Sequence, residues 1–406
     1  MKMWLILLLV PVSAVYAESA GAAGPRRITL EEALRLAEEA PVAAVLDREA
    51  DLARAEVRGA GLWPNPDLLF SREEAAGTED RFANITVPLP LSGRLSLERS
   101  AAQSGLRAAV ARTRQARVSL LRAGVREAFV DLLAAQERSS ALAEGLSRLS
   151  ELVEVLRARE REGESSGFDL IRSDRERAEV ESDHLESLGR EARPRGALAA
   201  LLGLPSEGLV AEDSLDARGA LPGQEEVRTL VASRGDLTAL DAEAEKADYL
   251  ARAAGRRAIP EPALTIGAKT TEAAGTSDTG SVAAISFTLP IFDRGQGGRG
   301  IARAEGAVLR ARRAVLARQA QAEAEAALSE ATARRGAAEA YAAAGDPEEL
   351  TRIARAAYGA GEMRILELLD AYRTVLSVHL RMIDLRAGAR RSEIELYRVL
   401  GTEVVR

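Results

Sequence analysis

The side chains able to do chemistry in this chain are mostly carboxylates, and their spacing suits charge display better than bond making. Glu367 and Asp370 sit three positions apart in a helical pattern, so their carboxylates share one helical face. Elsewhere Asp and Glu recur at helical intervals as surface charges, and no pair stands out for acid–base work. The absence of cysteine excludes disulfides, thiol catalysis, iron–sulfur clusters and Cys-ligated zinc. The two histidines, His184 and His379, each stand alone in a helical stretch and read as surface or interface groups, not metal ligands. The densest glycine run, Asp293-Arg294-Gly295-Gln296-Gly297-Gly298, lacks the Lys-Ser or Lys-Thr of a phosphate-binding loop. It suits a strand-to-helix corner, with Arg294 and Arg299 either against lipid phosphate or plain surface charges. A net charge of -7 leaves no basic excess for nucleic acid. The reading is therefore not an enzyme, with no metal and no cofactor.

The elements that position these residues are long helices. Aromatics are only 3% and charged residues 29%, a composition for helices packed through small and aliphatic side chains. Lys2, the run Trp4–Val10 and the small-residue site Val15-Tyr16-Ala17 read as a secretory signal peptide over residues 1–17. No later segment is apolar and long enough to span a bilayer as a helix, so any membrane crossing must use β-strands.

The chain is built twice, in repeats 18–203 and 223–406 joined by a collar-like connection 204–222. Trp63-Pro64-Asn65-Pro66 is answered by Ile259-Pro260-Glu261-Pro262, and Thr86-Val87-Pro88-Leu89 by Thr288-Leu289-Pro290-Ile291. Gly93 and Gly295 follow, then Gly163-Glu164 and Gly361-Glu362, then Leu201-Leu202-Gly203 and Val399-Leu400-Gly401, at a period of about 198 positions. Each half reads helix, two strands, long helix, break, helix. The first helix opens at a capping box, Thr29 with Glu32, and runs to about Gly61. A helix of some 65 residues, from Leu95 to Glu160, extends about 100 Å. Helix resumes over 168–202, and the second half places helices near 223–257, 297–357 and 364–400. Tip turns fall near 161–167 and 358–363, where Gly163, Gly167, Gly359 and Gly361 permit tight reversal.

Strands are expected near 66–73 and 82–89, and near 262–270 and 281–290, joined by polar turns Glu74–Arg81 and Thr271–Gly280. Ala83, Ile85, Val87 and Leu89 alternate with Phe82, Asn84, Thr86 and Pro88, giving one apolar face. Lengths of about 8–10 residues match tilted transmembrane strands. Four strands leave open edges that lipid does not tolerate, so closure recruits other copies. Strand count alone does not fix their number.

In these landmarks the chain resembles the outer-membrane efflux proteins, the TolC-like channels, and within them the partners of heavy-metal and multidrug exporters. The marks are Thr29-Leu30-Glu31-Glu32-Ala33-Leu34, Gly61-Leu62-Trp63-Pro64-Asn65-Pro66, the passages Pro88–Arg94 and Pro290–Gly295, and Tyr358-Gly359-Ala360-Gly361-Glu362 running into Leu366-Glu367-Leu368-Leu369-Asp370-Ala371. The resemblance implies a mixed α/β membrane protein. Its homotrimer would form a 12-stranded outer-membrane β-barrel, four strands per protomer, continuous with a long periplasmic α-helical barrel. It implies a passive exit duct of a tripartite pump, docked to a periplasmic membrane-fusion adaptor and an inner-membrane pump of the resistance–nodulation–division (RND) type. Glu367 and Asp370 resemble the family's acidic gate, and Tyr358 a tyrosine tying neighbouring helices. Met363 stands where some members carry arginine, with Arg364 adjacent. Asp169 is the weaker counterpart in the first half. The competing reading is a non-channel periplasmic coiled-coil adaptor or structural protein with soluble hairpins.

Overall fold

The computed structural model describes residues 25–163, 166–216 and 219–403. The expected leader, residues 1–17, lies outside them. The first elements of the described residues are β1 (Arg26–Ile28) and α1 (Leu30–Glu39). Thr29 caps α1, its hydroxyl accepting from the Glu32 amide at 3.3 Å, while the Glu32 carboxylate lies 4.0 Å from Arg26. The single first helix expected to Gly61 is in fact two. Pro41 starts α2 (Pro41–Gly59), and Ala40 before it is extended at ψ 155, because a proline ring clashes with a helical predecessor.

The strands are longer than their apolar stretches: β2 is Asp67–Ala75, β3 Thr78–Pro88, β5 Pro262–Ala273 and β6 Thr276–Phe287. The expected eight-to-ten-residue turns shrink to two residues, Ala76-Gly77 and Ala274-Gly275, all four at positive φ, as a type I′ turn requires. Polar composition disguised this end of the sheet. Arg72 pairs with Glu74 (3.2 Å) and Glu79 (2.9 Å), and Arg81 with Glu79 (2.6 Å) and Glu272 (3.5 Å), so the charged residues are strand neighbours. The four strands form one antiparallel sheet in the order β2-β3-β5-β6, and β2 and β6 are its edges.

Proline placement also corrects the repeat alignment. Leu91 N–H donates to Leu89 C=O and Ile291 N–H to Leu289 C=O, both at 2.9 Å, closing three-residue turns around Pro90 and Pro290. Pro90, not Pro88, is thus the counterpart of Pro290. Gly93 and Gly295 then cap the following helices in left-handed conformation. A Cβ on Gly295 would come within 1.9 Å of the Ala254 carbonyl oxygen, so only glycine fits that corner.

The long helix of the first half is α3 (Arg94–Ala116), a wide π turn (Arg117–Arg122) and α4 (Ala123–Arg161). Both ends of the π turn are pinned: Arg117 and Arg122 pair with Glu38 of α1. α5 (Gly167–Leu202) returns from the tip. The connection 204–222 is more ordered than expected, because β4 (Leu209–Ala211) pairs in parallel with β1. The second half differs more. Its first helix is α6 (Gln224–Ala232) and α7 (Gly235–Arg256), and its long helix stops as α8 (Gln296–Ala342) before a separate α9 (Pro347–Gly359). α10 (Ile365–Leu400) returns. Gly345 at φ 104 and Pro347 explain the break, which the continuous helix expected over 297–357 had bridged.

Side by side, the helices repeat the order of the strands. Below the sheet α2 packs on α3, α3 on α7 and α7 on α8; nearer the tips α5 packs on α4, α4 on α10 and α10 on α9. Alanine fills the α3–α7 and α7–α8 seams (Ala108, Ala239, Ala244, Ala247) and brings the helices close. Leucines and aromatics fill the collar around Phe129, Leu132 and Leu198, and the tip bundle around Leu156, Leu368 and Tyr372.

Candidate functional site

Cross-strand pairing sorts the sheet into two chemically distinct faces. Leu68, Ile85, Ile266 and Ala283 stand in one row; Phe70, Ala83 and Ala268 in the next; Val87, Leu264 and Ile285 in another. These side chains form one apolar face that water would meet, with Phe70 70% and Ile285 66% exposed. So large an uncovered apolar face calls for lipid or protein against it. The opposite face carries Thr86 and Thr265, whose hydroxyls lie 2.9 Å apart, and Lys269, whose ammonium is 2.8 Å from Asp80. Thr271 donates to the same Asp80 at 2.6 Å. A Cβ at Gly267 would meet the Asn84 side-chain oxygen at 2.1 Å, so that row is pressed against its neighbour. One face is fit for hydrocarbon, the other for water, as in the wall of a membrane β-barrel.

At the other end of the molecule are the proposed gate residues. Ile365, Leu368, Leu369 and Tyr372 turn inward to the tip core, which leaves Glu367 and Asp370 on the exposed side of α10. Glu367 is not free: its carboxylate accepts from the Arg364 amide at 3.0 Å and so closes the first turn of α10. Arg364 is exposed at the helix cap. Asp370 adds to the field on Arg373, whose pKa is raised first by its hydrogen bond to Glu176 of α5, 3.0 Å at Nε. Tyr358 packs against the tip core, and Arg159 of α4 lies 5.5 Å from its ring centre. Gly163 and Gly361 are left-handed, at φ 77 and 74. Gly359 ends α9 with no such need, and Gly167 is the first residue of α5 after its cap Ser166.

The structure adds partners that sequence reading missed. Arg148 of α4 donates to both Glu348 oxygens of α9, at 2.9 and 2.7 Å. That hydrogen bond is the main reason its pKa is raised. His379 of α10 faces the same Glu348 at 3.5 Å, and Arg355 reaches Glu151 at 3.5 Å. No sequence signal couples positions about 200 apart, although Arg148 and Glu348 each lie at helical spacing from other charges. The hairpin turns did leave a signal: Glu74-Ala75-Ala76-Gly77-Thr78 recurs as Glu272-Ala273-Ala274-Gly275-Thr276.

Comparison with known proteins agrees with this geometry. The model of the outer membrane efflux protein family matches residues 42–204 and 227–402. The cobalt-zinc-cadmium resistance protein CzcC of Cupriavidus metallidurans is 27% identical over 389 residues, covering 94% of this chain and 91% of that one. Among solved structures, a membrane protein of Pseudomonas aeruginosa superposes with TM-score 0.74 at 20% identity, over 96% of this chain and 99% of that one. The open-state MtrE outer membrane channel of Neisseria gonorrhoeae does so with TM-score 0.73 at 20% identity, over 92% and 89%. Both likenesses carry the fold across nearly the whole chain. The competing reading, a soluble periplasmic scaffold, is set aside by the family match and by the uncovered apolar face of the sheet. This chain belongs to the outer membrane efflux protein family: it is a non-catalytic exit duct of an efflux system, held in the outer membrane with a large periplasmic part.

Proposed function

We propose that three copies close the duct. Twelve strands would then form the barrel, and the helices beneath would form a tube leading to the tips. One observation supports this above others: the free edges of the sheet and of the helical layer coincide. Among the described residues β2 and β6 have no neighbour on one side, and the helices joined to them expose apolar residues at heptad spacing. These are Val45 and Leu52 on α2, and Ile301, Val308 and Val315 on α8. Each edge of one copy is thus chemically matched to the opposite edge of the next, a head-to-tail contact that closes into a ring.

The chain has no native cysteine among its described residues, so an engineered pair reports cleanly. Leu52→Cys with Ile301→Cys should give disulfide-linked species up to the size of three chains and no higher. Cross-links that stop at dimers, or none in membrane-embedded protein, reject the ring of three.

In the same reading the tips dock with a membrane-fusion adaptor linked to an RND-type inner-membrane pump, which supplies the energy. Glu367 and Asp370 form the gate: three copies bring six carboxylates to a narrow mouth, where they attract cations and repel anions. Tyr358 and Arg364 brace it, and Gly163 and Gly361 shape the tips. Likeness to a cobalt–zinc–cadmium resistance protein favours metal cations as cargo, which such a mouth would admit. Replacing Glu367 and Asp370 together by Ala should raise single-channel conductance in a planar bilayer and lower cation preference. Recordings with neither change remove these residues from the gate.

A further inference from the structure

Where the second half breaks its long helix, a cavity of about 820 Å³ opens between α4, α10 and the α8–α9 junction. Ala141, Tyr341, Val378, Met382 and Ile383 make the apolar part of its wall, and charged side chains make the rest. Of the charged groups that line it, all but one are engaged with described residues nearby. Arg386 lies 3.3 Å from Asp216 of the collar, and Arg148 donates to Glu144 at 2.5 Å. His379 faces Glu348, and Asp346 caps α9 by accepting from the Glu348 amide at 3.0 Å.

Glu137 is the exception. It lines the cavity, is partly buried, and makes no hydrogen bond or ion pair with a described residue. Burial pushes its carboxyl above the usual carboxylate range, the field of Arg386 opposes this, and Asp216 adds to it. A carboxylate taken from water without a partner is costly, and a positive charge brought into the cavity would offset that cost.

We propose that this cavity binds a drug-sized lipophilic monocation, its positive centre against Glu137 and its apolar body against Tyr341, Val378 and Met382. The size lies within the range of small-molecule sites, roughly 300–1,000 Å³. One carboxylate with no hydrogen bond or ion pair among the described residues matches one positive charge. A hard divalent ion is a poor match, since it needs six or more oxygen ligands, and no cluster of three or more acidic or histidine side chains able to hold one is found among the described residues. A neutral solvent molecule would leave Glu137 uncompensated. The occupant would bridge α10 to the junction at Gly345 and restrain α9. Neither the number of copies nor the gate enters this inference.

The test is calorimetric titration of the purified, detergent-solubilised assembly with tetraphenylphosphonium, using tetraphenylborate as an anion of the same shape and empty micelles as blank. Saturable binding of one cation per chain is expected, at least tenfold weaker in Glu137→Gln, a near-isosteric change. Ala141→Trp, which places a bulky ring in the cavity wall, should weaken it further. Asp384→Asn, whose partner Arg138 lies outside the cavity, should retain full affinity. No saturable binding beyond micelles overturns the proposal, as would happen if a neighbouring copy filled the cavity. So does equal uptake of the borate, or unchanged affinity in Glu137→Gln. Should the tryptophan variant fail to assemble, the glutamine variant decides alone.

Discussion

The two halves of the chain share a hairpin, a corner and a tip turn, but they part company along the long helix. In the first half helix continues from Arg94 to Arg161, widened once by the π turn that Glu38 pins. In the second half it stops at Ala342 and restarts at Pro347, leaving a 13-residue α9 between the break and the tip. Burial follows the same division. α4 sinks Phe129, Leu132, Leu142, Leu149 and Leu156 into two cores, whereas α9 buries only Thr351 and Ala354. Polar ties to α4 hold α9: Arg148 to Glu348, Arg355 to Glu151, and Arg159 over Tyr358. Apolar burial resists small displacements, while solvent-screened ion pairs exchange readily. On these grounds the first half should act as a fixed wall, and α9 of the second as the segment able to move.

The sharpest way to break this contrast is to force the second half's discontinuity on the first. Leu149→Pro in α4 removes a helical hydrogen bond and a buried side chain, at a combined cost of about 5 kcal/mol or more. It should abolish the heat-sensitive native oligomer on gels; an oligomer that survives would show that α4 is not the fixed wall. Next in size is the reverse exchange. Gly345→Ala with Pro347→Ala should fuse α8 and α9 and lower single-channel conductance and efflux several-fold in assembled protein. Unchanged conductance would mean that the break is not a hinge.

A smaller effect is expected from Arg148→Ala, which leaves Glu348 without its α4 partner. The ties of α9 should weaken by about 1–2 kcal/mol, a value discounted for partial exposure of the pair. Amide hydrogen exchange should quicken in α9 and stay unchanged in α4. The smallest effect tests likeness, not difference. Ala76→Asn and Ala274→Asn relieve an alanine held at positive φ, each worth up to about 1 kcal/mol. Equal rises in the dissociation temperature of the oligomer would confirm that the two hairpin ends are equivalent.

The uneven legibility of the fold has physical reasons. Strand position and facing were readable because Ala83, Ile85 and Val87 alternate where one face meets lipid. Strand length was not, because Arg72, Glu79, Arg81 and Glu272 pair across strands while looking like a loop. The break at Gly345–Pro347 was written in the sequence as a glycine and a proline. It was overrun because the apolar period resumes beyond it, at Ile353. Pro41 was overrun for the same reason. The shared exposed face of Glu367 and Asp370 was readable from their spacing of three, and residues 365, 368, 369 and 372 turn inward beside it. The links Arg148–Glu348 and Arg373–Glu176 were not, since each joins residues about 200 positions apart. Glu137 gave no sign either: that it has no hydrogen-bond or ion-pair partner among the described residues appears only when the helices around it are assembled.

The bare edges of β2 and β6 also bear on heredity. In the ring of three proposed above, one subunit with a spoiled edge would leave a gap that no other subunit can cover. A cell making sound and edge-damaged chains in equal amounts would assemble only about one ring in eight wholly from sound ones, if mixing is random. Damage at Val45, Leu52, Ile301 or Val308 should therefore be dominant over the intact gene, whereas damage confined to the Glu137 cavity should be diluted out by it.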